Sequence, residues 1–485
     1  MTVRFGRRRH RRSVALALTT ALVAGGVAVE VRRSGTPRLR GSGVPSGAAP
    51  SPSGSALPSP TPSALPPLGV GQADTAPVPS RAAVAAALNP AFADPRLGPR
   101  VSAVVADAGS GQLLYSRNST LSVLPASTAK MMTAVAALHV LGPHRRLTTK
   151  VVAVGARTGS TLTGRLLLVG AGDPTLASPA AAGRARYPVP ALLDDLAEAV
   201  RAAGITDVTG GVAVDPTLFA APRLGPAWKP NYLTEGSVAP VTSVMVDAGR
   251  VTPGESERFA EPDLAAGRLL RDLLRRRGVR TPEAVVRAAA PPGAEALASV
   301  ESPPVAALVE RMLAASDNNL AESLAHLVAA ERGRPTTFVG AAQAVADALG
   351  ELGAPGDATG LVDGSGLSPL NRVTTAGLAR VLALTLDPTR PGLRTMLSGL
   401  PVGGFAGTLS ERYVEGPAAI GAGRVRAKTG SLNNVSTLAG FIETADGRLL
   451  VFAFSADRLP SRAASRGAEV LDVAAARLAA CGCPA

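Results

Sequence analysis

Ser127 and Lys130 lie three residues apart in the stretch VLPASTAKMMTAVAAL, residues 123–138. The stretch is rich in helix-forming residues, and side chains three apart on a helix share one face. A serine at a helix N-terminus meets free N–H groups and a partial positive charge. It becomes a nucleophile if a base takes its proton, and a desolvated lysine amine can be that base. Taken alone, the pair also fits a helix-capping serine beside an exposed lysine.

The rarity of lysine in this chain gives the pair more weight. Of 50 lysines and arginines only four are lysine: Lys130, Lys150, Lys229 and Lys428. A guanidinium keeps its charge at any working pH, whereas an amine can lose its proton. A lysine at position 130 can therefore serve as a base, which an arginine could not do.

Two further short motifs carry polar groups that could act with this pair. Ser316, Asp317 and Asn318 occur in LAASDNNLAES, and these residue types are also preferred helix caps. Lys428-Thr429-Gly430 occurs in RVRAKTGSL, which would otherwise be an ordinary edge strand with a glycine bulge. Each motif alone has a purely structural interpretation.

The elements that must position these residues come from both ends of the body. Residues 101–118 alternate as two apolar runs around a glycine-containing turn, which predicts a β-hairpin. Residues 423–457 predict three strands, with a turn at 445–447, and a last helix is expected over 462–480. The simplest assembly is one antiparallel sheet of these five strands, covered by helices on its faces.

The middle of the chain has a different sequence pattern, in which short runs rich in Val, Leu and Thr alternate with Gly/Pro turns. We therefore expect an inserted, β-rich accessory domain over 146–295, between two parts of a catalytic domain at 81–145 and 296–485. The five-stranded sheet would join both ends of the body, so this middle segment is inserted between them.

The N-terminus predicts export. Arginine-rich residues precede a 17-residue apolar run from Ser13 to Val29, so residues 1–33 are a signal anchor or a cleavable signal peptide. Residues 34–80 include 11 prolines and predict an extended linker. Export would permit a disulfide between Cys481 and Cys483, although one intervening residue makes such a loop strained.

Charge and composition exclude some functions. The net charge of +14 is concentrated in residues 1–40, which hold ten arginines and one glutamate, so the rest carries +5. With 3% aromatic residues as well, nucleic-acid binding is not expected. The four histidines show no ligand spacing, so neither a metal nor another cofactor is predicted.

Together and in this order, the three motifs resemble the S-x-x-K, S-D-N and K-T-G set of penicillin-binding proteins and serine β-lactamases. Three more stretches resemble the class C low-molecular-mass penicillin-binding proteins, which are D-alanyl-D-alanine carboxypeptidases and endopeptidases. These stretches are VGAGDPTL (169–176), APVTSVMVD (239–247) and DGSGLSPLNRVT (363–374). The long insertion between Ser127 and Ser316 also fits that family.

The resemblance implies an α/β (α+β) fold: a β-lactamase/transpeptidase-like domain, with an antiparallel sheet flanked by helices and inserted domains of β-rich character. Ser127 would be acylated, with Lys130 as its base, and Ser316 would protonate the leaving amine. The remaining residues would bind substrate. Asn318 would hydrogen-bond its amide, Lys428 and Thr429 would bind its carboxylate, and Gly430 would let it lie close to the strand. The backbone N–H groups of Ser127 and Ser431 would form the oxyanion hole. Asp363 and Ser365 are possible site-lining residues.

The function expected from these residues is removal of the terminal D-Ala from peptidoglycan stem peptides, outside the membrane, with β-lactams as inhibitors. Cleavage of D-Ala cross-links and membrane attachment through the N-terminal segment are further expectations. Two alternatives remain open at this point. One is a β-lactamase, which needs an acidic residue to activate the deacylating water. The other is a non-catalytic wall-binding or penicillin-sensing module.

Overall fold

The computed structural model describes residues 76–182, 187–354, 360–460 and 464–482. The predicted N-terminal segment 1–33, nearly all of the linker 34–80 and Cys483 lie outside the described residues. Within these four ranges, no helix is both long and apolar enough to cross a membrane.

The described residues form eleven strands and nine helices of ten residues or more. The strands are β1 (Val101–Asp107), β2 (Leu113–Arg117), β3 (Thr148–Thr158), β4 (Thr161–Val169), β5 (Asp207–Val208), β6 (Val212–Asp215), β7 (Val285–Arg287), β8 (Ala296–Glu301), β9 (Val425–Leu432), β10 (Val435–Glu443) and β11 (Leu449–Ala456). The longer helices are α1 (Arg81–Phe92), α2 (Ala129–Val140), α3 (Leu193–Ala202), α4 (Pro262–Arg276), α5 (Val305–Ala314), α6 (Asn318–Glu331), α7 (Phe338–Glu351), α8 (Thr375–Leu384) and α9 (Ala464–Ala479). Two four-residue helices, Pro179–Ala182 and Met396–Gly399, also occur.

Both ends of the described chain build one antiparallel sheet in the order β2-β1-β11-β10-β9. The predicted hairpin, the three later strands and the closing helix are confirmed as β1–β2, β9–β11 and α9. The register pairs Val101 with Ala456, so the first and last strands of the body lie side by side at the centre of the sheet.

This sheet is covered on both faces, and its central strand is accordingly apolar along its length. In β11, Phe452 and Phe454 pack into one core with residues of α1 and α9. Val451 and Ala453 face the other way, into a core shared with α2 and α5–α8. Alternate residues of a strand point to opposite faces, so burial of both faces requires an apolar residue at nearly every position.

Helix α2 lies inside the second of these cores rather than on a surface. Every residue from Ala129 to Leu138 is buried, Lys130 included. Helices buried on all sides are apolar all round, so a charged residue in α2 needs partners inside the protein. The fold therefore carries Lys130 into the interior as the second residue of the helix.

A second sheet is built from the middle of the chain, in the order β7-β6-β4-β3-β8, with β5 paired to β4. It is a mixed sheet, because β3 runs antiparallel to β4 and β8 while β4, β6 and β7 are parallel. Helices α3 and α4 share its core. Its last strand, β8, begins at Ala296, so the sheet extends past the boundary expected at residue 295.

Candidate active site

Ser127 lies in a short 3₁₀ turn, Ala126–Thr128, that leads directly into α2. Ala126 has a left-handed backbone with φ 46°, which costs a residue with a Cβ about 1–2 kcal/mol. The turn is tied to the sheet, since Thr437 Oγ1 donates to Pro125 O at 2.9 Å. The Ser127 side chain is half-buried, so a fixed turn presents its hydroxyl at the edge of solvent.

Lys130 is fully buried and lies against three oxygen atoms. Its Nζ is 3.0 Å from Ser127 Oγ, 2.6 Å from Asn318 Oδ1 and 2.7 Å from Ser365 O. An ammonium can donate to all three. A neutral amine can donate to Asn318 and Ser365 and use its lone pair to accept the Ser127 proton. The same geometry therefore serves both protonation states.

Burial makes the neutral amine accessible. Desolvation lowers the pKa of Lys130 to about 8, against the opposing charges of Glu322, Asp363 and Asp317. Because removal from water penalises the charged form, a lysine in this position can lose its proton near neutral pH. A base poised near the working pH is what general-base catalysis requires.

The Ser316-Asp317-Asn318 motif meets this lysine at the start of α6. Asp317 is the helix cap, and its side chain accepts from Leu320 N at 3.1 Å. Asn318 is thereby free to place its carbonyl oxygen on Lys130 and to donate its Nδ2 to Ser237 O at 2.8 Å. Ser316, half-buried with φ 54°, immediately precedes the cap.

The Lys428-Thr429-Gly430 motif lies on β9, at the edge of the first sheet. Lys428 is fully buried, and its Nζ donates to Thr429 O at 2.9 Å. The Thr429 hydroxyl lies 2.8 Å from that of Thr408, on the exposed loop that precedes the strand. Burial holds the pKa of Lys428 well below its usual range, and the nearby charges of Lys130 and Arg412 lower it further.

Gly430 brings β9 against the nucleophile turn. A Cβ on this glycine would lie 2.1 Å from Thr437 Oγ1, 2.8 Å from Pro125 O and 3.1 Å from Ser127 N. The space that a side chain would need is thus filled by the protein itself, whereas the sequence suggested that it is left for substrate. The glycine is required for the approach of strand and turn, which places the backbone of β9 at Gly430 next to the backbone N–H of Ser127.

Asp363 and Ser365 lie behind the lysine rather than along an open cleft. Both are buried. The Asp363 carboxylate accepts from Trp228 Nε1 and from backbone and side-chain N–H groups of its own loop, at 2.6–2.8 Å. Ser365 meets Lys130 through its backbone carbonyl, not its hydroxyl. The prediction placed these two residues along the site, whereas in the structure they are buried and support Lys130 from behind.

The structure adds residues that the motifs did not indicate. Trp228 and Ser237 come from the segment that follows the second sheet's β6, and each contacts a motif residue. Glu322 is fully buried one turn beyond Asn318. The only available signals were that Trp228 is the single tryptophan of the chain and that Glu322 interrupts an apolar helix.

A separate cavity of about 350 Å³ lies between the Ser178–Ala180 segment, the loop that begins at Val246 and helix α4. No residue of the S-x-x-K, S-D-N or K-T-G motif lines it, although Val246 and Asp247 of the 239–247 stretch do. Its walls belong to the part of the chain that builds the second sheet. The chemistry described above is therefore located at the junction of α2, α6 and β9, not in this cavity.

Comparison with known proteins gives consistent findings. The D-Ala-D-Ala carboxypeptidase 3 (S13) family matches residues 84–257 and 252–478. A carboxypeptidase of Mycobacterium tuberculosis is 40% identical over 414 residues, 85% of this chain and 87% of that protein. A D-alanyl-D-alanine carboxypeptidase of an Actinomadura species is 30% identical over 73% of this chain and 78% of that protein.

Among solved structures, penicillin binding protein 4 (dacB) from Haemophilus influenzae has a TM-score of 0.67 at 23% identity, covering 81% of this chain and 97% of that one. It was also solved in complex with a β-lactam, and this second structure gives a TM-score of 0.63. At this identity the likeness bears on the fold, and it confirms the predicted β-lactamase/transpeptidase-like architecture.

Proposed function

The chain belongs to the D-Ala-D-Ala carboxypeptidase 3 (S13) family, and from this premise we propose that it acts through an acyl-enzyme on Ser127. The activity predicted from the sequence, a serine-type D-Ala-D-Ala carboxypeptidase, is confirmed by the family and by the identity to two carboxypeptidases. The observation that carries the proposed mechanism is the placement of Lys130 Nζ 3.0 Å from Ser127 Oγ.

In the first step Ser127 Oγ attacks the carbonyl carbon of the penultimate D-Ala while its proton passes to Lys130. The C–N bond then breaks, Lys130 returns its proton through the Ser316 hydroxyl to the departing amine of the terminal D-Ala, and an ester remains on Ser127. Water hydrolyses this ester and restores the serine. Asn318 holds Lys130 throughout through its carbonyl oxygen, which is 2.6 Å from Nζ.

Substrate recognition is assigned to the strand side of the site. The terminal carboxylate would lie against Lys428 and the Thr429 hydroxyl, in a region with a cation and hydroxyl donors. The carbonyl oxygen that gains negative charge would accept from the backbone N–H groups of Ser127 and Ser431. Two such donors, fixed before reaction, stabilise the transition state by several kcal/mol in other acyl-transfer enzymes (about 2.7–4 kcal/mol for one donor).

We also propose that β-lactams acylate Ser127, as the β-lactam complex of the Haemophilus relative suggests. Rapid hydrolysis of the product, the property of a β-lactamase, would need a carboxylate able to activate water. The carboxylates nearest Lys130 are otherwise engaged: Asp317 caps α6, and Glu322 and Asp363 are buried and bound to N–H groups. A long-lived penicilloyl enzyme follows from this arrangement.

The substrate places the reaction outside the cytoplasmic membrane, where peptidoglycan is found. The basic and apolar residues at 1–33 and the proline-rich linker 34–80 support export, with either anchoring or secretion of the catalytic body. Nearly all of these two segments lies outside the described residues, so this part of the proposal is supported by the sequence.

The test is mass spectrometry of purified muropeptides after incubation with the enzyme. Uncross-linked pentapeptide muropeptides should lose their terminal D-Ala with the wild-type chain and not with Ser127→Ala. Cross-linked dimers in a parallel reaction report endopeptidase action by their conversion to monomers. Intact pentapeptides after incubation with folded wild-type enzyme would contradict the proposed function.

A further inference from the structure

Glu322 is a fully buried carboxylate that the proposed reaction does not use. It lies on α6 one turn beyond Asn318, and it accepts two backbone hydrogen bonds from the segment 363–366. Ser365 N donates to Oε1 at 2.8 Å and Gly364 N donates to Oε2 at 3.0 Å. Burying a carboxylate costs free energy unless it is paired or hydrogen-bonded. The two N–H groups of the 363–366 segment supply these hydrogen bonds to Glu322.

The carbonyl groups of the same two residues are held by α2. Gly364 O accepts from Thr133 Oγ1 at 2.7 Å, and Ser365 O accepts from Lys130 Nζ at 2.7 Å. The segment is thus clamped between Glu322 on one helix and Lys130 on the other. It fits closely, because a Cβ at Gly364 would lie 2.7 Å from Ala325 Cβ.

The clamp also brings opposite charges near each other without direct contact. Glu322 makes the largest charge contribution in favour of the Lys130 ammonium, followed by Asp363 and Asp317. The positive charge that acts against it, Lys428, lies on the strand side of the site. Burial, together with the charge of Asp363, raises the pKa of Glu322 to about 8. Glu322 and Lys130 therefore lose their protons in the same pH range, as a pair.

Two other titratable neighbours do not change charge in this range. His326, one turn further along α6, meets the backbone carbonyl of Glu322, and burial lowers its pKa to about 4. Tyr232 faces Asp363, and burial raises its pKa above the usual value. Both groups are uncharged near pH 8. Burial and the charge of Lys130 also lower the pKa of Lys428, but this lysine is the same in the wild-type chain and in Glu322→Gln, so a difference between their pH profiles reports the charge of Glu322.

From this juxtaposition we infer that Glu322 is a positioning residue that seats the 363–366 segment under Lys130 and sets the pH range in which Ser127 is acylated. The inference rests on the proposed role of Lys130 as the base. It concerns how the base is held and tuned, and it assigns Glu322 no contact with substrate.

The test is the pH profile of acylation by a labelled penicillin, from pH 6 to pH 10, for the wild-type chain and Glu322→Gln. Removal of the negative charge disfavours the ammonium, so the rise in rate should move to lower pH by on the order of half to one unit. The wild-type profile should be broader than one proton dissociation, and that of Glu322→Gln should fit one. Glu322→Asp, which keeps the charge, should retain the wild-type midpoint even if its maximal rate falls.

The matched control is Glu331→Gln, which removes an exposed carboxylate at the far end of the same helix and should leave the profile unchanged. If Glu322 had only a structural role, Glu322→Gln would lower the maximal rate without moving the midpoint of the pH profile. That result would overturn this inference but leave the proposed role of Lys130 as the base intact. A wild-type rate that does not rise with pH overturns the proposed base as well. If Glu322→Gln does not fold, the wild-type profile decides, because a fit to one dissociation would contradict the coupled pair.

Discussion

Lys130 and Lys428 are both fully buried in one site, yet their surroundings differ in kind. Lys130 has three oxygen acceptors within 3.0 Å and the carboxylates of Glu322, Asp363 and Asp317 nearby. Lys428 donates to a backbone carbonyl, and the charges that act on it, from Lys130 and Arg412, are positive. Arg412 itself is paired with Asp472.

The difference indicates two uses of the same side chain. Acids around Lys130 moderate the effect of burial, so its amine can exchange a proton near neutral pH. Lys428 lies among positive charges, and no described carboxylate forms an ion pair with it. An arriving carboxylate would supply the missing counter-charge, so the first lysine suits a base and the second suits an anion receptor.

The largest effect is expected on the base side. Lys130→Arg keeps the charge and the helix propensity but cannot become neutral, so acylation by labelled penicillin should slow by about 10²–10⁴-fold, as it should for Lys130→Ala. Thermal melting and non-covalent ligand binding on the same protein control for the larger side chain. Folded Lys130→Arg that acylates within about tenfold of wild type, ~1.4 kcal/mol in barrier, would reduce Lys130 to an electrostatic partner.

The second effect is the pH dependence of the wild-type enzyme. Because the pKa of Lys130 is lowered to about 8, the reactive amine is abundant above that pH and scarce below it. Acylation should therefore be roughly tens of times slower at pH 6 than at pH 8.5, measured by stopped-flow mixing with penicillin. The residual rate of Lys130→Arg should lack this rise, and an equal rise in that variant would assign the titration to another group.

The third effect separates the receptor from the base. Lys428→Ala should weaken turnover of peptides with a free terminal carboxylate by roughly 10–100-fold, the range of a charge-assisted hydrogen bond, and change amidated peptides far less. Lys150→Ala, at an exposed position on β3, is the matched control. Equal losses with both kinds of peptide would show that Lys428 has a different role.

The smallest effect is expected at the loop that supports Thr429. Thr408→Val removes the hydroxyl that lies 2.8 Å from that of Thr429, and loss of one neutral hydrogen bond should raise KM by roughly 2–10-fold with kcat little changed. Ser410→Ala in the same exposed loop should behave as wild type. An unchanged KM for Thr408→Val would remove this loop from substrate recognition.

Much of the site could be predicted because its residues occur in short sequence motifs on or next to regular helices and strands. The spacing of Ser127 and Lys130 placed both on one helix face, and the alternating strands at both ends of the body implied a shared sheet. The resemblance then assigned the three motifs to one family. These inferences use local patterns, which a sequence contains directly.

The supporting contacts could not be predicted, because they join residues that are distant in sequence. Trp228 hydrogen-bonds Asp363, and Ser237 hydrogen-bonds Asn318. Trp228 and Ser237 lie in the segment after β6, whose path depends on the folded second sheet. Glu322 belongs to no motif, and its burial follows from the packing of α6 inside the fold. The packing role of Gly430 likewise depends on Thr437 and Pro125, which only the folded sheet brings to it.

The most direct test of the account is the location of the penicillin adduct. Wild-type enzyme is incubated with penicillin, denatured, digested with trypsin and analysed by tandem mass spectrometry. Cleavage after Arg117 and Lys130 separates the Ser127 peptide from the Ser316 peptide, which begins after Arg311. We predict one adduct, on Ser127, and none in Ser127→Ala. An adduct on Ser316, or one that persists in Ser127→Ala, would contradict the assignment of the nucleophile.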